Sequence, residues 1–135
     1  MSQENLEIAT EAFERAFVHW DLDGALQLID AEGVMDWSAS LAPYGGIYEG
    51  HSEMRGAWQQ WKDAWDEWTP EVTEAIRIDT ETVLLVTLIH ARGKGSGVPV
   101  RAGGASIWTV RDGKVTRVKI FQSKAEALEA AGRSA

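Results

Sequence analysis

Apolar positions recur every three or four residues in the first half of the chain and alternate in β-branched runs after Pro70, so the hydrophobic period changes once. From Glu4 to Trp20, the residues Leu6, Ala9, Phe13, Ala16, Phe17 and Trp20 form one stripe with Glu7, Glu11, Glu14 and Arg15 between them, which predicts an amphipathic helix. Asp21-Leu22-Asp23-Gly24 interrupts the stripe and offers an N-cap for a second, shorter helix holding Ala25, Leu26, Leu28 and Ile29. Val34 to Trp37 reads as a short strand, and Ser38 to Gly50 is too rich in glycine and turn formers to be anything but a long loop. From Ser52 onward, Met54, Trp58, Trp61, Trp65 and Trp68 step by 4, 3, 4 and 3, which predicts one helix ending before Pro70 with all five side chains on one side.

Four strands are predicted next, over Val72–Ile78, Thr82–Arg92, Val98–Val110 and Val115–Gln122. Asp112-Gly113 is a two-residue hairpin signal, because glycine supplies the positive φ that a twist-compatible turn needs; consecutive strands are therefore expected to be antiparallel. Gly93-Lys94-Gly95-Ser96-Gly97 lacks phosphate-loop spacing and joins two strands, so it reads as a hairpin loop. Gly103-Gly104 inside a strand reads as a bulge or bend more readily than as a ligand contact. Lys124 to Ala131, with Gly132 beyond, is a short terminal helix with a glycine stop. Helices first and strands last predict an α+β fold, one domain over residues 1–135.

Composition narrows the function. With 13 basic and 21 acidic residues the formal net charge is −8, which disfavours nucleic acid and anionic membranes as partners. No apolar run approaches the ~18 residues of a membrane span, and the start of the chain lacks a secretion-signal pattern. Cysteine is absent, which removes disulfides, thiolate nucleophiles and sulfur-ligated zinc and is compatible with a reducing cytoplasm, the expected location. Three histidines without ligand spacing give no support for a metal, and no nucleotide motif calls for a cofactor. The indole stripe is different: fully burying a tryptophan removes ~150–250 Å² from water, so these rings either fill a core, line a pocket or form an interface.

The order of elements, the ending Ser106-Ile107-Trp108-Thr109-Val110-Arg111-Asp112-Gly113-Lys114-Val115-Thr116-Arg117-Val118, and Tyr48-Glu49-Gly50-His51 at the entry to the long helix resemble the SnoaL-like polyketide-cyclase branch of the nuclear transport factor 2-like superfamily. The resemblance covers nearly the whole chain. It implies a cone-shaped, cystatin-like roll, a curved antiparallel sheet wrapped around a long helix, with an apolar cavity and commonly a homodimer. It does not choose a reaction, since relatives include isomerases, dehydratases, cyclases, epoxide hydrolases and binding modules. Where many relatives look as if they carry an acid, at the junction of last strand and terminal helix, this chain reads Phe121-Gln122-Ser123-Lys124. The Asp–Arg–Asp arrangement of epoxide hydrolases is not recognisable either, because Arg101, Arg117 and Lys119 have no evident strand carboxylate beside them.

Asp36, His90 and Tyr44 are the candidate catalytic residues. Strand alternation sends Asp36 to the face opposite Met35 and Trp37; in an apolar cavity its raised pKa would suit proton transfer, and the alternative is a salt-bridged strand carboxylate. His90 and Arg92 share a strand face with Leu84, Val86 and Leu88 near a rim, suited to proton transfer and anion binding respectively or to a structural pair. Tyr44 and Tyr48 flank Gly45-Gly46, where a phenol could polarise a carbonyl under a closing loop or simply pack it. Substrate contacts are expected from Tyr48, Trp37, Trp58, Trp61, Trp65, Arg92, Arg101, Trp108 and Phe121, while His51 and His19 read as structural and surface residues. Two functions follow: cofactor-independent isomerisation, dehydration or cyclisation of a small hydrophobic, carbonyl-bearing molecule, or non-catalytic binding of an apolar ligand or dimerisation.

Overall fold

The opening stripe folds as α1 (Ser2–Phe13) and then widens into a single π-helical stretch, Glu14–Val18, in a computed structural model that describes residues 2–38, 46–93 and 99–132. The wide turn is closed by the His19 backbone N–H donating to the Glu14 carbonyl at 3.0 Å. It keeps Phe13 and Phe17 together, with ring centroids 5.5 Å apart. Trp20 falls outside the helix, at φ +54°. The second helix, α2 (Leu22–Leu26), is capped as expected, the Asp21 carboxylate accepting from the Gly24 N–H at 3.0 Å. It is shorter than predicted: β-branched Ile29 instead opens the first strand, β1 (Ile29–Asp36), whose register against the last strand shifts between Ile29 and Val34, across the buried Gly33. A Cβ there would stand 3.0 Å from both the Asp30 carbonyl oxygen and an Ile29 methyl group.

Part of the predicted long loop is strand β2 (Ile47–Glu49), antiparallel to β1. Helix α3 (Gly50–Asp63) follows, then β3 (Trp65–Arg77), β4 (Thr82–Gly93), β5 (Pro99–Arg111), β6 (Lys114–Phe121) and α4 (Lys124–Ala130). The tryptophan stripe therefore does not lie on one helix. Trp58 and Trp61 belong to α3, and Trp65 and Trp68 belong to β3. Their three-residue spacing, helical on its face, arises in the strand from a bulge. Trp65 pairs with Gly93 and Glu67 with Arg92, so Asp66 is an extra residue that restores Trp65 to the face of Trp68. Pro70 sits inside β3 without harm because β3 is an edge strand and needs no N–H there.

The six strands run β2-β1-β6-β5-β4-β3. The sheet is mixed: β1 and β6 are parallel, through pairs such as Asp36 with Lys119, and all other neighbours are antiparallel. The Asp112-Gly113 turn has both residues at positive φ, 52° and 78°, as a tight hairpin requires. On one sheet face Val83, Leu85, Trp108, Val110, Val115 and Val118 pack with Phe13, Leu22, Leu26 and Trp58 from the helices. On the other, Leu84, Ala105 and Phe121 pack with Ala127 and Leu128 of α4, whose N-cap is the Ser123 hydroxyl. Burial on both faces explains the unbroken apolar run Val83-Leu84-Leu85; each leucine is worth ~1.5–3 kcal/mol.

Candidate functional site

A hollow of about 570 Å³ lies between the helices and the β4–β5 part of the sheet, within the usual ~300–1,000 Å³ of small-molecule sites. Four elements build its walls. Phe13 and Phe17 enter from the first helical segment, Trp37 from the end of β1, Trp61 from α3, and Trp65 and Trp68 from β3. The floor is Thr87, Ile89 and Ala91 of β4 with Ala102 to Ser106 of β5, and Ile120, Phe121 and Gln122 close it at the end of β6. Exposed Ala102, Gly103 and Gln122 mark its rim.

The indoles are organised around Trp61. Its ring centroid lies 4.9 Å from Trp37, 5.4 Å from Trp65 and 4.9 Å from Trp68, with interplanar angles of 75°, 62° and 88°. These edge-to-face arrangements set the positive rim of one ring against the negative face of the next. The N–H groups of Trp37, Trp61, Trp65 and Trp68 are all buried without a hydrogen-bond partner, so their stabilisation comes from ring packing. Trp58 and Trp108 differ. The Trp58 N–H donates to the Ala16 carbonyl at 2.8 Å and the Trp108 N–H to the Ser106 hydroxyl at 2.7 Å. Both stand in the core beside a second, much smaller gap of about 30 Å³.

Among the described residues lining the hollow, no side chain is ionisable. Asp36 lies on the opposite face of β1, as alternation predicted, while Trp37 faces inward. Its carboxylate accepts from the Ser38 backbone N–H at 2.8 Å and the Ser38 hydroxyl at 2.5 Å, and faces Arg117 at 3.2 Å and Lys119 at 3.9 Å. Burial pushes its pKa up, but the Ser38 hydrogen bonds and the charges of Lys119 and Arg117 outweigh that and hold it below the ordinary carboxylate value. The carboxylate is therefore ionised at neutral pH, without the raised pKa expected of it in an apolar cavity. Arg117 and Lys119 thus do have a strand carboxylate; the parallel β1–β6 pairing that supplies it leaves no signature in spacing.

His90 and Arg92 are on the sheet face away from the hollow, because the alternate residues Thr87, Ile89 and Ala91 line it. His90 is exposed and pairs across strands with exposed Arg101, and Arg92 stands 3.7 Å from Glu67. Tyr48 is half-buried against the core from β2 and pairs with Met35. Of the expected contacts, Trp37, Trp61 and Trp65 meet at the hollow; Phe121 borders it at the end of β6 but packs on the other sheet face with α4, and Trp58, Trp108, Tyr48, Arg92 and Arg101 do not line it. Tyr44 and the loop from Lys94 to Gly97 lie outside the described residues. The His51 ring nitrogen is 2.9 Å from the Ile29 carbonyl oxygen and His19 is exposed. Among the described residues, no three His, Asp or Glu side chains gather as a metal site requires.

Sequence reasoning missed Phe13, Phe17, Trp68, Thr87, Ile89, Ala91, Gly104, Ser106 and Ile120 as lining residues. Of the two readings of Gly103-Gly104, bulge or bend, the bulge is absent from the pairing with β4. The β4–β5 ladder passes through Thr87–Gly104 and Leu88–Gly103 in regular register, so these glycines are part of the floor and not a bulge. The signal was present in the facing strands, where small Ala91 of β4 and Ala102-Gly103-Gly104-Ala105 of β5 leave space.

No helix among the described residues is long and apolar enough to cross a membrane. None of the curated proteins matches the chain closely enough to count as a relative. Solved structures do match in fold. A hypothetical protein with a ketosteroid isomerase-like fold from Catenulispora acidiphila, in complex with trimethylamine, is 20% identical, with a TM-score of 0.74 over 94% of this chain and 93% of its own. TerC, crystallised with polyporic acid, is 17% identical, with a TM-score of 0.76 over 96% and 98%. The epoxide hydrolase/cyclase-like enzyme SalBIII, described in pyran ring formation in the polyether salinomycin, is 17% identical, with a TM-score of 0.72 over 90% and 92%. The family model of the SnoaL-like domain matches residues 9–118, and over that span this chain belongs to the SnoaL-like domain family.

Proposed function

We propose that the protein binds a small, largely apolar, ring-bearing molecule in the hollow. The observation that carries this reading is the lining itself: four indoles and two phenyl rings from Phe13 and Phe17 around about 570 Å³, with no ionisable side chain among the described lining residues. Rigid rings supply contact area at little entropic cost, and an apolar guest displaces water that this surface holds poorly. General acid–base chemistry needs a titratable group within reach of the guest, and Asp36 and His90 are turned to the other sheet face. Fold relatives crystallised with trimethylamine and with polyporic acid lend support to a small-molecule site.

Titration with 1-tetralone tests it. Because four of the seven tryptophans line the hollow, saturable quenching of tryptophan emission with one-to-one stoichiometry is the expected result. Quenching that rises linearly without saturation would reject the site.

A second reading is catalysis in the same hollow, an isomerisation, dehydration or cyclisation, favoured by the likeness to SalBIII. In this reading the walls fold a flexible substrate into a reactive shape, and a phenol from Tyr44 polarises its carbonyl. Substrate turnover that survives Tyr44→Phe would remove that role.

A further inference from the structure

We infer that Thr87 and Ser106 form the polar end of the hollow and that its ligand presents a carbonyl-type oxygen to their hydroxyls. The inference rests on the binding reading above and names the chemistry that orients the guest.

Thr87 and Ser106 are the two buried polar residues of the floor, 6% and 4% exposed, on adjacent strands and the same sheet face. The ladder pairs Thr87 with Gly104 and Leu85 with Ser106, so the two hydroxyls are diagonal neighbours. Ser106 has a defined polarity. Its oxygen already accepts the Trp108 N–H at 2.7 Å, which leaves its own O–H to donate, and that proton meets no acceptor among the described residues. The Thr87 hydroxyl, on a residue only 6% exposed, likewise has no hydrogen bond to any described residue and faces the hollow. Two donors without an acceptor among the described residues, side by side in an otherwise apolar hollow, are placed to meet an acceptor on what fills it.

Gly104 keeps the Thr87 hydroxyl uncovered. A Cβ at Gly104 would stand 3.3 Å from the Thr87 Oγ1, and a larger side chain would cover it. The indole N–H groups of Trp37, Trp61, Trp65 and Trp68 are buried, and their rings line the hollow where the apolar body of the guest would lie. One end of the ligand is thus read by hydrogen bonds and the rest by shape.

Two probes of matched skeleton separate these parts: 1-tetralone, which carries a ketone, and tetralin, which does not. Calorimetric titration of the full chain is expected to show tighter binding of 1-tetralone. Thr87→Val and Ser106→Ala should each weaken 1-tetralone by about fivefold to tenfold, the worth of one neutral hydrogen bond, while tetralin affinity stays level. Thr87→Ser, which restores a hydroxyl, should recover the ketone preference. If both probes bind and the variants shift them equally or not at all, the hydroxyl inference is overturned and the hollow stands. If neither probe binds the unaltered protein, the hollow reading falls and this inference with it.

Discussion

Asp36 is nearly fully buried, yet its two nearest charged neighbours are cations that reach solvent, Arg117 about half exposed and Lys119 about one third. Screening keeps their Coulomb contribution modest, so the Ser38 hydrogen bonds carry much of the preference for the ionised form. The folded-state pKa lies below the reference value of 3.8. Stabilisation from this carboxylate is therefore complete above that value and lost as pH falls through the lower, folded-state pKa. Asp36→Asn should cost about 1–2 kcal/mol at pH 7, and the gap from the unaltered protein should narrow as pH falls below the reference value of 3.8, measured by urea unfolding across a pH series. Binding in the hollow should be unchanged; a large loss would return Asp36 to the site. Alternation alone set Asp36 opposite Met35 and Trp37 but did not tell which of the two faces looks into the hollow. Which charges wait there was not legible, because a parallel neighbour from the far end of the chain leaves no local pattern.

At the scale of the element, β3 explains why a helical period can mislead. A stripe stepping by 4, 3, 4 and 3 fits a helix, but in a strand an extra residue gives the same-face spacing of three seen at Trp65 and Trp68. The period could not separate these cases, and only the partner strand does. Deleting Asp66 should restore strict alternation and turn Trp65 to the outer face. It should then lose its ring contacts with Trp61 and Trp68, at a cost of about 1–3 kcal/mol for the two pairs. Acrylamide should quench the deletion variant more strongly than the unaltered chain, and replacing Trp65 by Phe in both should erase the difference. Equal quenching before that replacement would mean the bulge relocates instead of disappearing. The terminal elements posed no such ambiguity: the Asp112-Gly113 turn and the Gly132 stop, at φ 77°, depend on local backbone chemistry that the residues state directly.

For the molecule as a whole, the empty volume beside the sheet is a reserve of stability that a guest can supply. A ligand that binds only the folded state stabilises it by about 2.7 kcal/mol at a hundred times its Kd. For a chain of 135 residues, with roughly 3–5 °C of melting temperature per kcal/mol, saturating 1-tetralone should raise Tm by about 8–13 °C. The shift requires that the guest occupy the hollow and not the outer sheet face. Gly104→Phe separates the two, because the backbone at Gly104 is ordinary strand and its Cβ would be directed over the floor beside Thr87 and Ile89. The variant should fold, since the ring enters existing space, and should lose at least half of the ligand-induced shift measured by thermal unfolding. An undiminished shift would locate the guest elsewhere. The space itself was hidden in the sequence: the rings and glycines are legible as residues, but a void is the difference between what four elements could fill and what they do fill, and that depends on their relative placement.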